Sequence, residues 1–229
     1  MRFPRESFSA ALTSRELVIA MAVIAVVIVL VIPAIKDALA KRDLTRVMNN
    51  GRELYLAAFR MATDGAAKSD ANLAWPGDYP ANNLAEYCGK LIEKDYVKPA
   101  DLQRILSAPG AECTVATDGL PVTTTLTGKS ALKIYKVKRA DPSNTIFAAS
   151  SNYVYDNELN SNAVPFGGAG FVIVRKAGDA GVYRANQATT AGFENNGTRF
   201  QSDQGIGALP GAAKGNVVPG DNGTVLAAP

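Results

Sequence analysis

The sequence predicts an α+β fold, with a long N-terminal α-helix packed against a small head of short helices and an antiparallel β-sheet. Three observations predict it. No polar side chain occurs between residues 17 and 32, and apolar residues then recur at helical spacing up to residue 59. Strand-like apolar segments follow residue 130. The 229 residues have room for the helix and one domain of ordinary size.

The N-terminal apolar run is long enough to cross a membrane. Residues 17–35 would form a helix of about 28 Å, close to the ~30 Å hydrocarbon core of a bilayer. Glu16 precedes this run, where an ionised carboxylate is costly unless it is paired, and Arg15 is a local partner. Pro33 removes one helical hydrogen bond, so it indicates either a loosened helix or the end of the span.

The same run is open to three interpretations. It is a secretory signal peptide cut after Ala38-Leu39-Ala40, a plain signal anchor, or the anchor of a pilin-like subunit. Against a signal peptide, the apolar run is long, and Lys36 and Asp37 separate it from the cleavage motif.

Beyond the apolar run, an amphipathic pattern predicts that the helix continues as a water-facing stalk from about residue 13 to about residue 63. Asp64-Gly65 is the expected stop. The apolar positions at helical spacing are Leu44, Val47, Met48, Gly51, Leu54, Tyr55, Ala58 and Phe59.

The rest of the chain predicts the head. Short amphipathic helices are expected over residues 84–92 and 100–106. The segment from about residue 186 is rich in Gly, Asn and Ala, so we expect it to be irregular and poorly ordered in part. The predicted strands of one antiparallel sheet are residues 131–138, 145–149, 170–176 and 181–185.

The composition argues against several classes of function. The net charge of +3 is dispersed and predicts no nucleic-acid partner. Histidine is absent, which argues against zinc chemistry and histidine-assisted nucleophilic catalysis, and we predict a protein that is not an enzyme.

Two cysteines, Cys88 and Cys113, are compatible with two redox states. In an exported chain they would form one structural disulfide, worth roughly 3 kcal/mol, and in a reducing compartment they would be two buried thiols. The anchor favours the disulfide.

Residues 8–62 resemble the N-terminal region of type IV pilins and of the pseudopilins of type II secretion. Members of that family carry a short charged leader, cut before an apolar helix whose fifth mature residue is Glu. If the cut falls between Ala11 and Leu12, Glu16 is the fifth mature residue. Pro33 is then the twenty-second, where family members commonly have proline. This chain has Ala11 and Leu12 where the family usually has Gly and Phe, and Arg15 where it usually has an apolar residue.

The resemblance implies a structural subunit that polymerises through its N-terminal helix into a type II secretion pseudopilus or a type IV pilus-like filament. It implies cleavage between Ala11 and Leu12 by a prepilin peptidase, N-methylation of Leu12, and assembly through Glu16 and Pro33. The implied partners are other copies of the chain, an inner-membrane assembly platform and minor pseudopilins. The chain would cross the bacterial inner membrane once, with its head in the periplasm.

Combined with the pattern along the chain, the resemblance implies five segments. They are a leader (1–11), a transmembrane and filament-core helix (12–35), an amphipathic stalk helix (36–65), the α+β head (66–185) and the irregular C-terminal region (186–229).

Calcium is the one candidate cofactor. Asp156, Glu158 and Asn160 belong to an oxygen-rich stretch of the kind that calcium prefers, and major pseudopilins of type II secretion hold calcium in a loop late in the chain. The spacing is not that of an EF-hand, and such clusters are commonly turns.

The sequence is also consistent with a second function. The chain would then be a membrane-anchored extracytoplasmic binding protein or enzyme of unknown ligand, whose anchor merely resembles that of a pilin.

Overall fold

The computed structural model describes residues 14–119, 123–193, 195–213 and 215–228. It confirms the α+β class. The described residues fall into two units, divided between Leu39 and Ala40. The longer helices are α1 (Ser14–Lys68), α2 (Leu84–Glu93) and α3 (Pro99–Leu106). The strands are β1 (Cys113–Asp118), β2 (Thr123–Gly128), β3 (Leu132–Ile134), β4 (Ile146–Ser150), β5 (Phe171–Arg175) and β6 (Ala180–Tyr183).

Helix α1 extends beyond its predicted end. Asp64-Gly65 was expected to stop it, but the helix continues to Lys68 and is followed by Ser69 with a φ of 54°. Gly65 serves another purpose, since a Cβ there would lie 1.7 Å from the carbonyl oxygen of Leu73. The glycine therefore permits the returning chain to cross the helix closely.

The two short helices lie close to their predicted positions. The Asn83 side chain caps α2 by accepting a hydrogen bond of 2.9 Å from the backbone of Glu86. Pro99 occupies the first turn of α3, where its missing N–H leaves no helical hydrogen bond unmade.

The larger sheet has the order β3-β4-β5-β6, with every neighbouring pair antiparallel. It contains the four predicted strands. Every residue of β4 is buried, as are the first four of β5, so the central strands are covered on both faces. On one face, a Cβ added to Gly51 of α1 would lie 2.7 Å from Val174, and Tyr55 donates a hydrogen bond of 2.8 Å to the carbonyl of Lys176.

A second, two-stranded sheet was not predicted. Strands β1 and β2 form an antiparallel hairpin in which Cys113 pairs with Gly128 and Asp118 with Thr123. Only Cys113 and Leu126 are buried in it, so the hydrophobic alternation that identifies a strand is nearly absent from its sequence.

The hydrophobic core of the second unit includes residues of α1, α2, α3 and the larger sheet. Leu54 and Ala58 of α1 are fully buried, as the helical pattern predicted, and Met61, one turn further along, is fully buried as well. The pattern also predicted that Phe59 is buried, but this side chain is 45 % exposed. Ala57, which the pattern did not include, is buried. Phe59 rests against the surface of the core, with its ring 6.2 Å from that of Trp75.

The C-terminal region is irregular, as predicted, but it packs on the core. Its short helical turns are Ala185–Gln187, Thr190–Gly192, Gly197–Arg199 and Phe200–Gln204. Gln201, Ile206 and Leu226 are buried within it. Val225 pairs with Tyr135 in an antiparallel bridge, so this segment runs alongside β3. Backbone pairing and buried apolar side chains such as Ile206 and Leu226 both attach it to the core.

Candidate functional site

The first unit presents the largest apolar surface among the described residues. Residues 14–32 of α1 are long and apolar enough to span a membrane, and none of them is buried. Every large apolar side chain between residues 17 and 35 is between 43 and 71 % exposed. Consecutive residues such as Leu17, Val18 and Ile19 are all exposed, so the helix is apolar on every side. A helix of that kind is stable in a lipid bilayer or among other apolar helices.

Glu16 lies in the first turn of α1. The unpaired N–H groups of a first turn carry partial positive charge, which favours a carboxylate there. The structure therefore places this acidic residue at the end of the helix where its charge is best tolerated.

Pro33 does not end the helix, because α1 continues through residue 33. Its nitrogen has no hydrogen, so the carbonyl of Val29 lacks the donor that a helix normally supplies four residues later. The proposed loosening of the helix at Pro33 stays a prediction. The predicted cleavage residues, Ala11 and Leu12, lie outside the described residues.

No family model, curated protein or solved structure matches this chain.

The two cysteines lie within one core cluster, on facing elements. Cys88 belongs to α2, whose Gly89 would place a Cβ 3.1 Å from Thr124 of β2, and Cys113 begins the neighbouring β1. Both are free thiols here, so the predicted disulfide is not formed in this structure. Burial raises the pKa of both thiols, and the proximity of Cys113 adds to the effect at Cys88.

The predicted calcium residues are used largely for local structure. Asp156 accepts a hydrogen bond of 2.6 Å from the backbone of Thr190, and Asn160 accepts one of 2.9 Å from that of Asn162. Glu158 is exposed. Across the described parts of the chain, no three Cys, Asp or Glu residues are grouped closely enough to hold a metal ion. Calcium binding stays a prediction.

One polar cluster in the head was not predicted. Lys133 of β3 contacts the carboxylate of Asp221 and the carbonyl of Tyr153, and both charged side chains are largely buried. Tyr135 donates a hydrogen bond of 2.7 Å to the same carboxylate. Burial lowers the pKa of Lys133, although the charge of Asp221 opposes this effect, and burial raises the pKa of Tyr135. The cluster ties the C-terminal segment to β3.

A cavity of about 770 Å³ in the head opens beside Trp75. Alanines and a glycine from the last turns of α1 line one side of it, and Asp70, Asp78 and Arg139 bring charge to its edge. The Asp78 carboxylate already has a partner within the chain, because it accepts a hydrogen bond of 2.6 Å from the backbone of Arg139. The cavity is large enough for a small ligand.

The helical pattern of the sequence did not identify two exposed apolar residues of α1. Leu56 and Phe59 of α1 are 48 % and 45 % exposed. Leu56 breaks the helical pattern of the buried face, and that departure was the only signal in the sequence.

Proposed function

We propose that the chain is a pilin-like structural subunit, which polymerises through α1 into a type II secretion pseudopilus or a type IV pilus-like filament. The observation that carries the proposal is the apolar segment of α1, exposed on every side, with Glu16 in its first turn. A single-pass anchor needs only an apolar helix. Such an anchor has no need of a carboxylate at the edge of the apolar surface, whereas a subunit that docks beside identical helices has a use for it.

In this function, the segment first holds the subunit in the bacterial inner membrane, with the head in the periplasm. A prepilin peptidase removes residues 1–11 and frees the amine of Leu12, which is then methylated. In the filament, the apolar residues pack against those of neighbouring subunits, and Glu16 pairs with the Leu12 amine of a neighbour. Pro33 removes one backbone hydrogen bond and lets the helix adapt to its neighbours. The assembly platform and minor pseudopilins are the other partners.

Apolar burial outside the membrane stabilises the assembled state further, at about 25 cal/mol per Å² removed from water. Inside the bilayer this term is absent, because lipid chains are as apolar as the helix, so close packing and the Glu16 ion pair provide specificity there.

Replacement of Glu16 by Gln tests the proposal, because it removes the charge and keeps the size of the side chain. We expect E16Q subunits to remain in the membrane and to be lost from sheared filaments, detected by immunoblot. The matched control is E53Q, which removes an exposed carboxylate of the second unit. Filaments that incorporate E16Q as efficiently as E53Q would contradict the proposal.

The mature N-terminus provides an independent test. Mass spectrometry is expected to find an N-methylated Leu12 as the first residue. A chain that begins at Lys41 would instead identify residues 1–40 as a signal peptide and exclude the filament function.

The cavity beside Trp75 favours a second candidate, a membrane-anchored extracytoplasmic binding protein or enzyme. In that case α1 acts only as a tether, so E16Q would leave ligand binding by the head unchanged and no filament would be found in any condition.

A further inference from the structure

Lys133 and Asp221 place an amine and a carboxyl group in direct contact inside the head. The Nζ atom of Lys133 contacts Oδ2 of Asp221, and the two side chains are only 11 % and 22 % exposed. The carbonyl oxygen of Tyr153 accepts a second hydrogen bond from Nζ, and the ring of Tyr135 has its centre 5.4 Å from that atom. These contacts hold the amine at one oxygen of the carboxyl group and keep most of the surrounding water away from both.

The other carboxyl oxygen of Asp221 has two donors of its own. Oδ1 accepts a hydrogen bond of 2.7 Å from the Tyr135 hydroxyl and one of 3.3 Å from the backbone N–H of Tyr155. Burial raises the pKa of Tyr135, so this hydroxyl keeps its proton at neutral pH. Fixed donors directed at one oxygen of a carbonyl group stabilise the negative charge that develops there when a nucleophile attacks the carbon. Asp221 therefore has an amine at one oxygen and an oxyanion site at the other.

Backbone pairing holds the two residues side by side. Strand β3 contains Lys133, and the chain that follows Asp221 pairs with this strand and its continuation. The backbone of Lys136 donates a hydrogen bond of 2.6 Å to the carbonyl of Thr224, next to the antiparallel bridge at Val225. The fold thus supplies the proximity and orientation that two freely diffusing groups lack.

Burial also favours the uncharged forms of the two groups. Desolvation lowers the pKa of Lys133, although the charge of Asp221 opposes this effect. If one proton passes from Nζ to Oδ2, the pair becomes a neutral amine and a carboxylic acid, and neither form carries the cost of a buried charge. The neutral amine has the free electron pair that a lysine nucleophile requires.

We propose that Lys133 and Asp221 condense to an amide bond, which cross-links β3 to the C-terminal segment. The electron pair of Nζ attacks Cγ and forms the C–N bond, while the π electrons of the carbonyl move to Oδ1. When they return, the Cγ–Oδ2 bond breaks, and Oδ2 leaves as water with its own proton and a second proton from Nζ. The ammonium and carboxylate are thereby converted into one neutral amide and one molecule of water. The ion pair in this structure is the reactant of the step.

The bond would close the chain between residues 133 and 221 into a covalent loop. Such a loop limits the freedom of the unfolded chain, as a disulfide does, but it does not depend on the redox state of the compartment. This inference goes beyond the proposed filament function and does not rest on it, because all the reacting groups belong to the head.

Mass spectrometry of the full chain, purified in detergent and then unfolded, tests the inference. The intact mass should be one molecule of water below the mass calculated from the observed N-terminus onward. Trypsin does not cut after an acylated lysine. We therefore expect a branched tryptic product in which residues 130–136 are joined to the peptide that begins at residue 215.

Two lysine variants complete this measurement. K133R keeps the positive charge but replaces the amine by a guanidinium that stays protonated, so it should show no loss of water. The matched control is K176R, which changes another partly buried lysine, whose ammonium contacts the backbone carbonyls of Arg139 and Asp141. K176R should lose water as the parent does. The inference is overturned by a parent chain of full mass, by a parent chain that loses water but is still cut after Lys133, or by a K133R chain that loses water.

The rate of the reaction tests the oxyanion site. Y135F removes one of the two donors to Oδ1 and should slow the loss of water, followed by mass after a pulse of synthesis, by about 100-fold. Y153F is the matched control, because the Tyr153 hydroxyl is equally buried but accepts its hydrogen bond from Gln201, and none of the hydrogen bonds of the described residues joins it to Asp221. Y153F should react at close to the parent rate. Equal rates for the two variants would overturn the assignment of the oxyanion site.

Discussion

Lys133 and Asp221 form a largely buried ion pair between β3 and the C-terminal segment, 88 positions apart in the chain. Tyr135 and the backbone of Tyr155 donate hydrogen bonds of 2.7 and 3.3 Å to the same carboxylate. The nearby Leu226 donates a backbone hydrogen bond of 2.9 Å to Ile134. The pair therefore fastens an irregular segment along the edge of the larger sheet, where few apolar side chains are available to do so.

Replacement of Asp221 by Ala should destabilise the head substantially. It leaves the Lys133 ammonium buried without its counter-charge, and breaking a buried pair costs about 3–5 kcal/mol. The partial exposure of Asp221 reduces our expectation to about 2–4 kcal/mol. Urea unfolding of the full chain in detergent, followed by Trp75 fluorescence, measures the loss.

The matched control for this change is E53A, which breaks the exposed pair between Glu53 and Arg104. Exposed pairs contribute about 0–1 kcal/mol, so E53A should change the free energy of unfolding little. If D221A costs no more than E53A, the buried pair does not hold the C-terminal segment.

Replacement of Gly65 by Ala should also destabilise the fold, although Ala is the better helix former by about 1 kcal/mol. The added methyl group would collide with the carbonyl of Leu73, and backbone must move to relieve the clash. We expect a net loss of about 2 kcal/mol or more, within the range measured for overpacked cores. G168A is the control, because a Cβ at Gly168 meets nothing within 4 Å. Unchanged or increased stability of G65A would contradict the close crossing at this glycine.

Stability should fall steeply in alkaline solution. Burial is the main cause that raises the pKa of seven tyrosines. One of them is Tyr96, whose pKa is raised to about 12 and whose hydroxyl donates a hydrogen bond of 2.6 Å to Asp64. The other six are Tyr55, Tyr87, Tyr135, Tyr153, Tyr155 and Tyr183. In the unfolded chain a tyrosine loses its proton near pH 10, whereas these folded tyrosines retain theirs.

The sign of the effect follows from proton binding. Above about pH 10 the unfolded state binds fewer protons than the folded state, so the free energy of unfolding decreases as pH rises. The tyrosine contribution is fully present below pH 10 and is lost as pH rises through the folded pKa values, about 12 for Tyr96. Tyrosinate absorbance at 295 nm should rise mainly with the loss of structure, and a gradual rise that leaves the circular dichroism intact would argue against the buried tyrosines.

The disulfide between Cys88 and Cys113 remains a prediction, and the burial of both thiols makes it testable. A thiol with a raised pKa has little thiolate and reacts slowly, so in the folded chain neither cysteine should be alkylated at pH 7. The decisive measurement is the intact mass after unfolding in alkylating reagent without reductant. If the exported chain carries the disulfide, the mass should show no alkyl adduct. As the control, a sample that is reduced before alkylation should show two adducts. Two adducts without reduction would exclude the disulfide.

Local patterns in the sequence were sufficient to predict α1, α2, α3 and the four strands of the larger sheet. Each has an apolar period that matches its own geometry, and the caps at Asn83 and Pro99 are local as well. The same reasoning identified the apolar run of the candidate site, because membrane span is a matter of length and composition.

Tertiary structure alone decided the remaining features. The exposed hairpin of β1 and β2 is stabilised by its own backbone pairing, which needs no apolar alternation and leaves little trace in the sequence. Lys133 meets Asp221 only because the chain returns to β3, and Gly65 is enclosed only because Leu73 crosses above it. Such contacts form only when the chain folds back on itself. Their energies therefore depend on the completed fold and not on the local spacing of apolar residues.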